Sequence, residues 1–433
     1  HPFRPQHHDN STCTKTDRFY PELHSDTDIP NISNLLCSNR HPQSFARHEM
    51  SARIHLLGIG NIGCFVAHAL RTLPDPPVVT LKFHRRRQVD EFMARNGEIT
   101  VKRENVATHS DGYKAEFYRA RELRMETYGG IDMSLISNCI VTTKACDATS
   151  ALSYVHQRMN RDSTLVLLQN GMGILEQMQR SLFPDPTRRP NILLGVNTHG
   201  CFSEKPFSVV HAGVGTILLG LVPHPLYPDN FISPHEACTP EILERNPHTE
   251  STAEILRLLH AAPSLSCSSV AFSEIVLAQL EKLAINCAIN PLTAIFECLN
   301  GDILALHIRK LLESVIFECA NVFSNIPIIQ SLESDDRFTK GGLLRKVSNI
   351  ARATASNKSS MLQDIQRRRS TEIEYINGYI ESLGKQLNVA TPNNTTLRRL
   401  IVAKSQMAAS GRTVHTMNVS QSAERFMELV KQD

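Results

Sequence analysis

The sequence predicts a doubly wound α/β domain followed by an all-helical domain, and three observations carry that expectation. From Arg53 onward, apolar strand-like runs alternate with helical segments. A glycine-rich turn joins the first such strand to the first helix. After about residue 268 the strand pattern stops and helical periodicity takes over. Alternating strand and helix is the pattern of a parallel sheet covered on both faces. A chain of 433 residues suffices for two or three domains.

The elements follow in order. Residues 1–50, rich in Pro, Ser, Asn, Asp and His, are expected to form a flexible extension. "RIHLLGIGNIG" (53–63) reads as a strand ending in glycines, and "CFVAHALRTL" as the amphipathic helix after it. "PPVVTLKFHR" (76–85) is the second strand, and apolar runs at 133–143, 164–169 and 192–198 are further buried strands. The stretch 221–250, rich in Pro, His, Asn and Glu, reads as an insertion or long loop. Segments 272–298, 302–324, 341–368, 372–386 and 393–409 all carry helical periodicity. The expected boundaries are therefore 1–50 for the extension, 51–267 for the α/β domain and 268–433 for the helical domain.

Composition excludes some functions. A net charge of +3 is too small to argue for nucleic acid or an anionic membrane. No apolar run has the length needed to span a bilayer. The eleven cysteines include no C-x-x-C pair, and Cys64, Cys287 and Cys298 lie in apolar helical contexts. That pattern reads as reduced, packed thiols of an intracellular protein, with no zinc or other metal site. Residues 1–50 lack the apolar core of a signal peptide. Asp9, Asp17, Glu22, Asp26 and Asp28 weigh against a mitochondrial presequence. The expected compartment is the cytoplasm; the mitochondrion stays open because the chain starts at His1, not Met.

Gly58, Gly60 and Gly63 form G-x-G-x-x-G between the strand Ile54–Leu57 and a helix. That context is what a dinucleotide fingerprint requires. The first glycine makes the tight turn, the second lets the backbone approach a pyrophosphate, and the third lets helix pack on strand. The phosphates then meet free N–H groups at a helix N-terminus. The α/β domain is accordingly expected to be Rossmann-type. Its second strand ends "LKFHRRR", without the acid that would accept from a ribose 2′-OH. Arg85, Arg86 and Arg87 can instead pair with a 2′-phosphate, which favours NADP; a solvated basic turn is the alternative for any one of them.

Two polar clusters lie in the helical half. Lys282, Asn286 and Asn290 recur every fourth residue, so they drift only about 40° per step and line one narrow helix face. Ile285, Ile289 and Leu292 line another, and Pro291 is expected to kink or break the helix after Asn290. Such a face is either a wet amphipathic surface or one side of a cleft between domains, where ligands favour binding. A lysine partly desolvated there has its pKa lowered toward neutrality and can serve as a general acid. In "SSMLQDIQRRRSTEIE" (359–374), Ser360 can start one helix, and Thr371 with Glu374 fits a capping box for the next. That places Glu372 in a first turn, as a helix-dipole carboxylate or as one aimed into the cleft. Spacing does not choose between these.

Together these segments resemble the ketopantoate reductases (2-dehydropantoate 2-reductases), over about residues 53–425. The resemblance rests on "GIGNIG" (58–63), "TTKACD" (142–147), "QNGMG" (169–173), "KLAINCAINPLTAIFECLNGD" (282–302) and "SSMLQDI…TEIEYINGY" (359–379), in the family's order. The early extension and the 221–250 segment resemble the longer fungal members. The resemblance implies a Rossmann-type N-terminal domain, an all-helical C-terminal domain and an active site in the cleft between them. It implies NADPH-dependent reduction of 2-dehydropantoate to (R)-pantoate, on the way to pantothenate and coenzyme A.

By motif, Lys282 resembles the proton donor to the ketone oxygen. Asn286, Asn290, Asn300 and Ser360 resemble substrate contacts, and Asn170 a residue touching both substrate and cofactor. Gly58, Ile59, Gly60, Asn61, Ile62, Gly63 and Lys144 resemble cofactor contacts, and Arg85 the 2′-phosphate partner, with Arg86 beside it. Glu372 resembles a carboxylate that organises the catalytic site and binds cofactor. His199–Cys201 matches a cofactor-lining strand end loosely. The implied partner is a small 2-keto acid, with no nucleic acid and no membrane, and the family allows a homodimer. Two other readings share these features: a reductase of another 2-keto or 3-hydroxy acid, and a non-catalytic NADP-binding relative acting through macromolecular partners.

Overall fold

The computed structural model describes residues 52–118, 125–127, 134–227, 232–332 and 335–410. The expected extension 1–50 lies outside the described residues, as do positions 228–231 of the 221–250 segment. The chain enters through β1 (Arg53–Leu57), α1 (Asn61–Arg71), β2 (Val78–Phe83) and α2 (Arg86–Met93). A hairpin of β3 (Ile99–Arg103) and β4 (Val106–Ser110) follows, then β5 (Lys114–Tyr118), β6 (Met125–Thr127), β7 (Asn138–Val141) and α3 (Ala145–Ser153). Next come β8 (Thr164–Leu167), α4 (Ile174–Ser181), β9 (Asn191–Asn197), β10 (Gly200–Lys205), β11 (Ser208–Gly213) and β12 (Ile217–Leu221). The last strand, β13 (Cys267–Ser269), comes after α5 (Pro240–Leu243) and α6 (Glu250–Ala261).

Nine of these strands form one sheet, in the order β13-β12-β9-β8-β7-β1-β2-β5-β6. Its centre is parallel, as expected, while β12 runs antiparallel to β9 and β6 antiparallel to β5. The winding reverses direction between β1 and β7, which lie side by side. A doubly wound sheet opens a crevice at such a switch point, beyond the strands' carboxyl ends. The sequence reading does not anticipate the second sheet, β10-β11-β3-β4. Its β3–β4 turn places Glu104 and Asn105 at φ 49° and 66°. Two left-handed residues make a tight hairpin turn, but Glu-Asn lacks the glycine that usually signals one.

The helical half comprises α7 (Phe272–Phe296), α8 (Leu306–Phe323), the short α9 (Pro327–Gln330), α10 (Lys340–Ala353), α11 (Ser360–Gln366), α12 (Asn377–Gln386) and α13 (Pro392–Ala409). Its core includes Leu283, Ile316 and Phe323; Phe65, Phe83 and Phe92 fill the core against the sheet. Helix α7 packs against the large sheet because Gly220 of β12 has no side chain. A Cβ there would collide with Ile275. Among the described residues, no helix is long and apolar enough to cross a membrane.

Three local expectations are corrected. The segment 341–368 is two helices; the second, α11, starts at Ser360 as expected, and the buried Ser359 caps it, its Oγ accepting from Leu362 N at 3.1 Å. Thr371 and Glu374 form no capping box. Glu374 pairs with Arg398 at 3.0 Å, Ile373–Tyr375 is a 3₁₀ turn, and α12 starts only at Asn377. Pro291 does not break α7, which continues to Phe296. An interior proline costs a helix about 3 kcal/mol, partly because the carbonyl four residues back loses its donor. Here that carbonyl, of Cys287, accepts from Asn377 Nδ2 at 3.0 Å.

Candidate active site

The glycine turn fits a dinucleotide. Gly58 has φ +96°, and a Cβ on it would collide with the backbone of Thr143, next to the end of β7. A Cβ on Gly63 would strike the Gly58 carbonyl, which Thr142 Oγ1 holds at 2.6 Å. At Gly60, by contrast, a Cβ would meet nothing within 4 Å. Gly60 caps α1 without any side-chain bond. The open side of the turn is therefore backbone N–H groups and the positive end of a helix, a cradle for pyrophosphate. Ile59 and Ile62 pack, partly buried, against the sheet core. The Asn61 side chain ties the turn to the small sheet: Nδ2 donates to Cys201 O at 3.1 Å, and Oδ1 accepts from Ser203 Oγ.

The structure separates the three arginines after β2. Arg86 pairs with Asp90 at 3.2 Å and Arg87 with Glu91 at 2.8 Å, each one turn along α2. Arg85 caps the helix from outside, is exposed, and its guanidinium contacts no carboxylate among the described residues.

Across the crevice, the helical half meets the start of α3. Glu372 is 9% exposed. Its Oε1 accepts from Ala145 N at 2.9 Å, in the first turn of α3, and its Oε2 from Asn170 Nδ2 at 3.3 Å. Burial raises its pKa, while the two donors and Lys144 oppose the rise. Glu372 is not in the first turn of a helix of its own, since a 3₁₀ turn follows it and α12 starts at Asn377; its carboxylate instead meets the N-terminus of α3. Lys144 donates to Ser370 O at 2.6 Å and pairs with Asp364 at 2.5 Å. The loop 169–173 closes on the same turn: Met172 N donates to Tyr375 O at 2.8 Å, and a Cβ on Gly171 would collide with that carbonyl.

Lys282 reaches from α7 to the end of β9, where its Nζ donates to Asn197 O at 2.6 Å. The residue is half-buried. Burial lowers its pKa from 10.5 to about 8, against the opposing charge of Glu372. One turn and two turns on, Asn286 and the buried Asn290 have side-chain amides that hydrogen-bond no other described residue. They are donors and acceptors without a partner among the described residues, on the face that carries the amine. Asn300 is buried, with Nδ2 donating to Thr354 Oγ1 at 3.0 Å and Oδ1 without a partner among the described residues. Ser360 is exposed at the start of α11. Neither hydrogen-bonds into the cluster of Lys282, Glu372, Asn170 and Ala145.

Sequence reasoning missed the groups that hold these side chains: the Asn197 carbonyl for Lys282, and Asp364 with Ser370 O for Lys144. The only signal for Asn197 was its place at the end of a predicted strand. An amine held by a carbonyl, in the field of a buried carboxylate and next to two amides without a partner among the described residues, can receive an anionic carbonyl compound and protonate its oxygen.

Two family models match the chain: "Ketopantoate reductase PanE/ApbA" over residues 54–224 and "Ketopantoate reductase PanE/ApbA C terminal" over residues 274–405. A probable 2-dehydropantoate 2-reductase of Schizosaccharomyces pombe is 29% identical over 374 residues, covering 84% of this chain and 99% of the relative. The 2-dehydropantoate 2-reductase of Vibrio cholerae is 30% identical over 267 residues, covering 62% of this chain and 77% of the relative. Among solved structures, a D-mandelate dehydrogenase with NADH and anilino(oxo)acetate shares the fold, with a TM-score of 0.61 at 19% identity. That match covers 82% of this chain and 99% of the other.

The lowered pKa of Lys282 has a consequence for stability. Between pH 8 and 10.5 the unfolded chain holds the extra proton and the folded one has released it, so this residue's contribution improves as pH rises through that window. Below it, the folded state carries a poorly hydrated ammonium. Lys282→Met is therefore expected to be more stable than wild type at pH 7, with the difference shrinking toward pH 10 in denaturant titrations. A less stable Lys282→Met at pH 7 contradicts this.

Proposed function

The chain belongs to the ketopantoate reductase family, and on that premise we propose that it reduces 2-dehydropantoate to pantoate with Lys282 as the proton donor. The observation that carries this reading is the half-buried amine at 2.6 Å from Asn197 O, its pKa lowered to about 8. Bound NADPH supplies the hydride to C2 of the ketone. Lys282 donates a proton to the keto oxygen as negative charge develops there, and the neutral amine left behind is reprotonated from solvent. The charge of Glu372 keeps the ammonium form accessible at neutral pH. Asn286 and Asn290, without side-chain partners among the described residues, bind the substrate carboxylate and hydroxyl without adding charge that would displace the lysine's pKa.

Gly60, whose open side would admit a pyrophosphate, and the N-terminus of α1 would hold the cofactor's phosphates. Arg85 takes the 2′-phosphate, because Arg86 and Arg87 already have carboxylate partners. Asn170, Lys144 and Glu372, clustered where the two halves meet, would orient the cofactor's reacting end. The nine cysteines of the described residues are all free thiols, which suits the cytoplasm we assign as its compartment.

Kinetics with ketopantoate test the proton donor. Lys282→Ala should lose about 10²–10⁴ in kcat/KM while NADPH binding changes little. The wild-type kcat/KM should fall on the alkaline side with a pKa of about 8. In Glu372→Gln that limb should move to lower pH, because the charge supporting the ammonium is gone. A Lys282→Ala enzyme that keeps wild-type turnover refutes the assignment.

Arg85 is tested by cofactor choice. Arg85→Ala should weaken NADPH use roughly tenfold or more and leave NADH use unchanged, because its charge-assisted hydrogen bonds go to the phosphate that only NADPH carries. Arg86→Ala and Arg87→Ala should leave the NADPH:NADH ratio near wild type. Equal effects from all three would mean that the phosphate is bound elsewhere or by the run as a whole.

A further inference from the structure

We infer that Asn377 is a positioning residue for this reaction: its amide supplies the hydrogen-bond donor that Pro291 withholds from the helix carrying Lys282, Asn286 and Asn290. The inference rests on the reading of those three residues as the substrate-facing stripe. Pro291 lies inside α7, directly after Asn290. It has no N–H, and its ring crowds the carbonyl four residues back, that of Cys287. Cys287 is wholly buried, so bulk water is not at hand for that carbonyl. A buried carbonyl without a donor is costly enough for the backbone to tilt in search of one.

Asn377, the first residue of α12 and itself wholly buried, fills the need. Its Nδ2 donates to Cys287 O at 3.0 Å and to Asn394 Oδ1 at 2.9 Å. The Cys287 carbonyl can only accept, so the nitrogen must face it. Asn377 Oδ1 has no partner among the described residues. Both hydrogens are used and the oxygen is not, which marks the residue as present for its donors.

The anchor behind it is firm. Asn394 Nδ2 donates to Glu318 Oε2 at 2.8 Å, and Glu318 also receives Asn393 N at 2.8 Å and Asn394 N at 2.9 Å. The carboxylate of α8 thus caps the first turn of α13. Through Asn377, this buried network grips α7 at Cys287, between Lys282 and Asn290. Without the grip, the turn bearing Asn286 and Asn290 is free to reorient relative to the amine.

A double-mutant cycle tests this, because Pro291→Ala restores the missing N–H and lets α7 bond its own Cys287 carbonyl. With Pro291 in place, Asn377→Ala should raise KM for ketopantoate about tenfold or more and change the Kd for NADPH less than about twofold. In the Pro291→Ala background the same change should raise KM less than about threefold, and the drop in Tm should shrink in parallel. Asn377→Ser is run alongside as the smaller perturbation, so that poor folding of Asn377→Ala leaves the cycle readable. Equal effects in both backgrounds, with an active wild type, overturn the role of Asn377. A wild type that reduces no 2-keto acid overturns the functional reading beneath it, and the Tm cycle still reports whether Asn377 and Pro291 are coupled.

Discussion

The hydrogen bond from Lys282 Nζ to the carbonyl oxygen of Asn197 fixes where the chemistry takes place. Its donor belongs to the long helix of the helical half, and its acceptor ends a central strand of the sheet. A carbonyl partner has a different effect from a carboxylate partner. A carboxylate at that distance would lock the amine as an ion pair and hold its pKa high. The carbonyl orients the amine and leaves burial free to bring the pKa down to about 8. Glu372 limits that fall from a longer range. The result is an acid that is mostly charged at neutral pH and yields its proton readily.

Everything around the amine serves to bring α7 and the sheet into this register. The absent side chain of Gly220 leaves room for Ile275, and that of Gly171 for the Tyr375 carbonyl. Glu372 adds an anion at the N-terminus of α3, so the dipole of a sheet-covering helix attracts the helical half. Lys144 pairs with Asp364 across the same seam. These contacts differ in chemistry and agree in direction: each draws the helical half onto the sheet.

The sequence discloses the parts of this arrangement that are local. The glycine turn, the strand before it and the helix after it are contiguous, and each glycine has the environment its spacing implies. The Lys282-Asn286-Asn290 stripe is one helix face, so periodicity alone reveals it. What stayed hidden depends on residues far apart in the chain. Pro291 reads as a kink or a break because nothing near it announces Asn377 as a substitute donor; the break is what the structure rules out. Thr371 and Glu374 have capping-box spacing, yet Arg398 draws Glu374 away. Ser359 and Ser360 are equally good caps on paper; Thr293 Oγ1, donating to Ser359 Oγ at 2.7 Å, is a tertiary contact that favours the first. The small sheet escaped notice because its hairpin turn uses Glu-Asn, and because β11 pairs in parallel with the distant β3. A backbone acceptor such as Asn197 O carries no residue-type signal at all.

The protein holds Lys282 as a half-buried, carbonyl-bound amine ready to give up its proton. NMR titration of lysine side-chain Cε and Nζ signals in the free enzyme tests it most directly, with the Lys282 signal identified by its absence in Lys282→Met. Two lysines are expected to titrate near pH 8, Lys282 and the buried Lys82 of β2, and the signal lost in Lys282→Met must be one of them. A Lys282 signal that titrates at the ordinary 10.5 would contradict it.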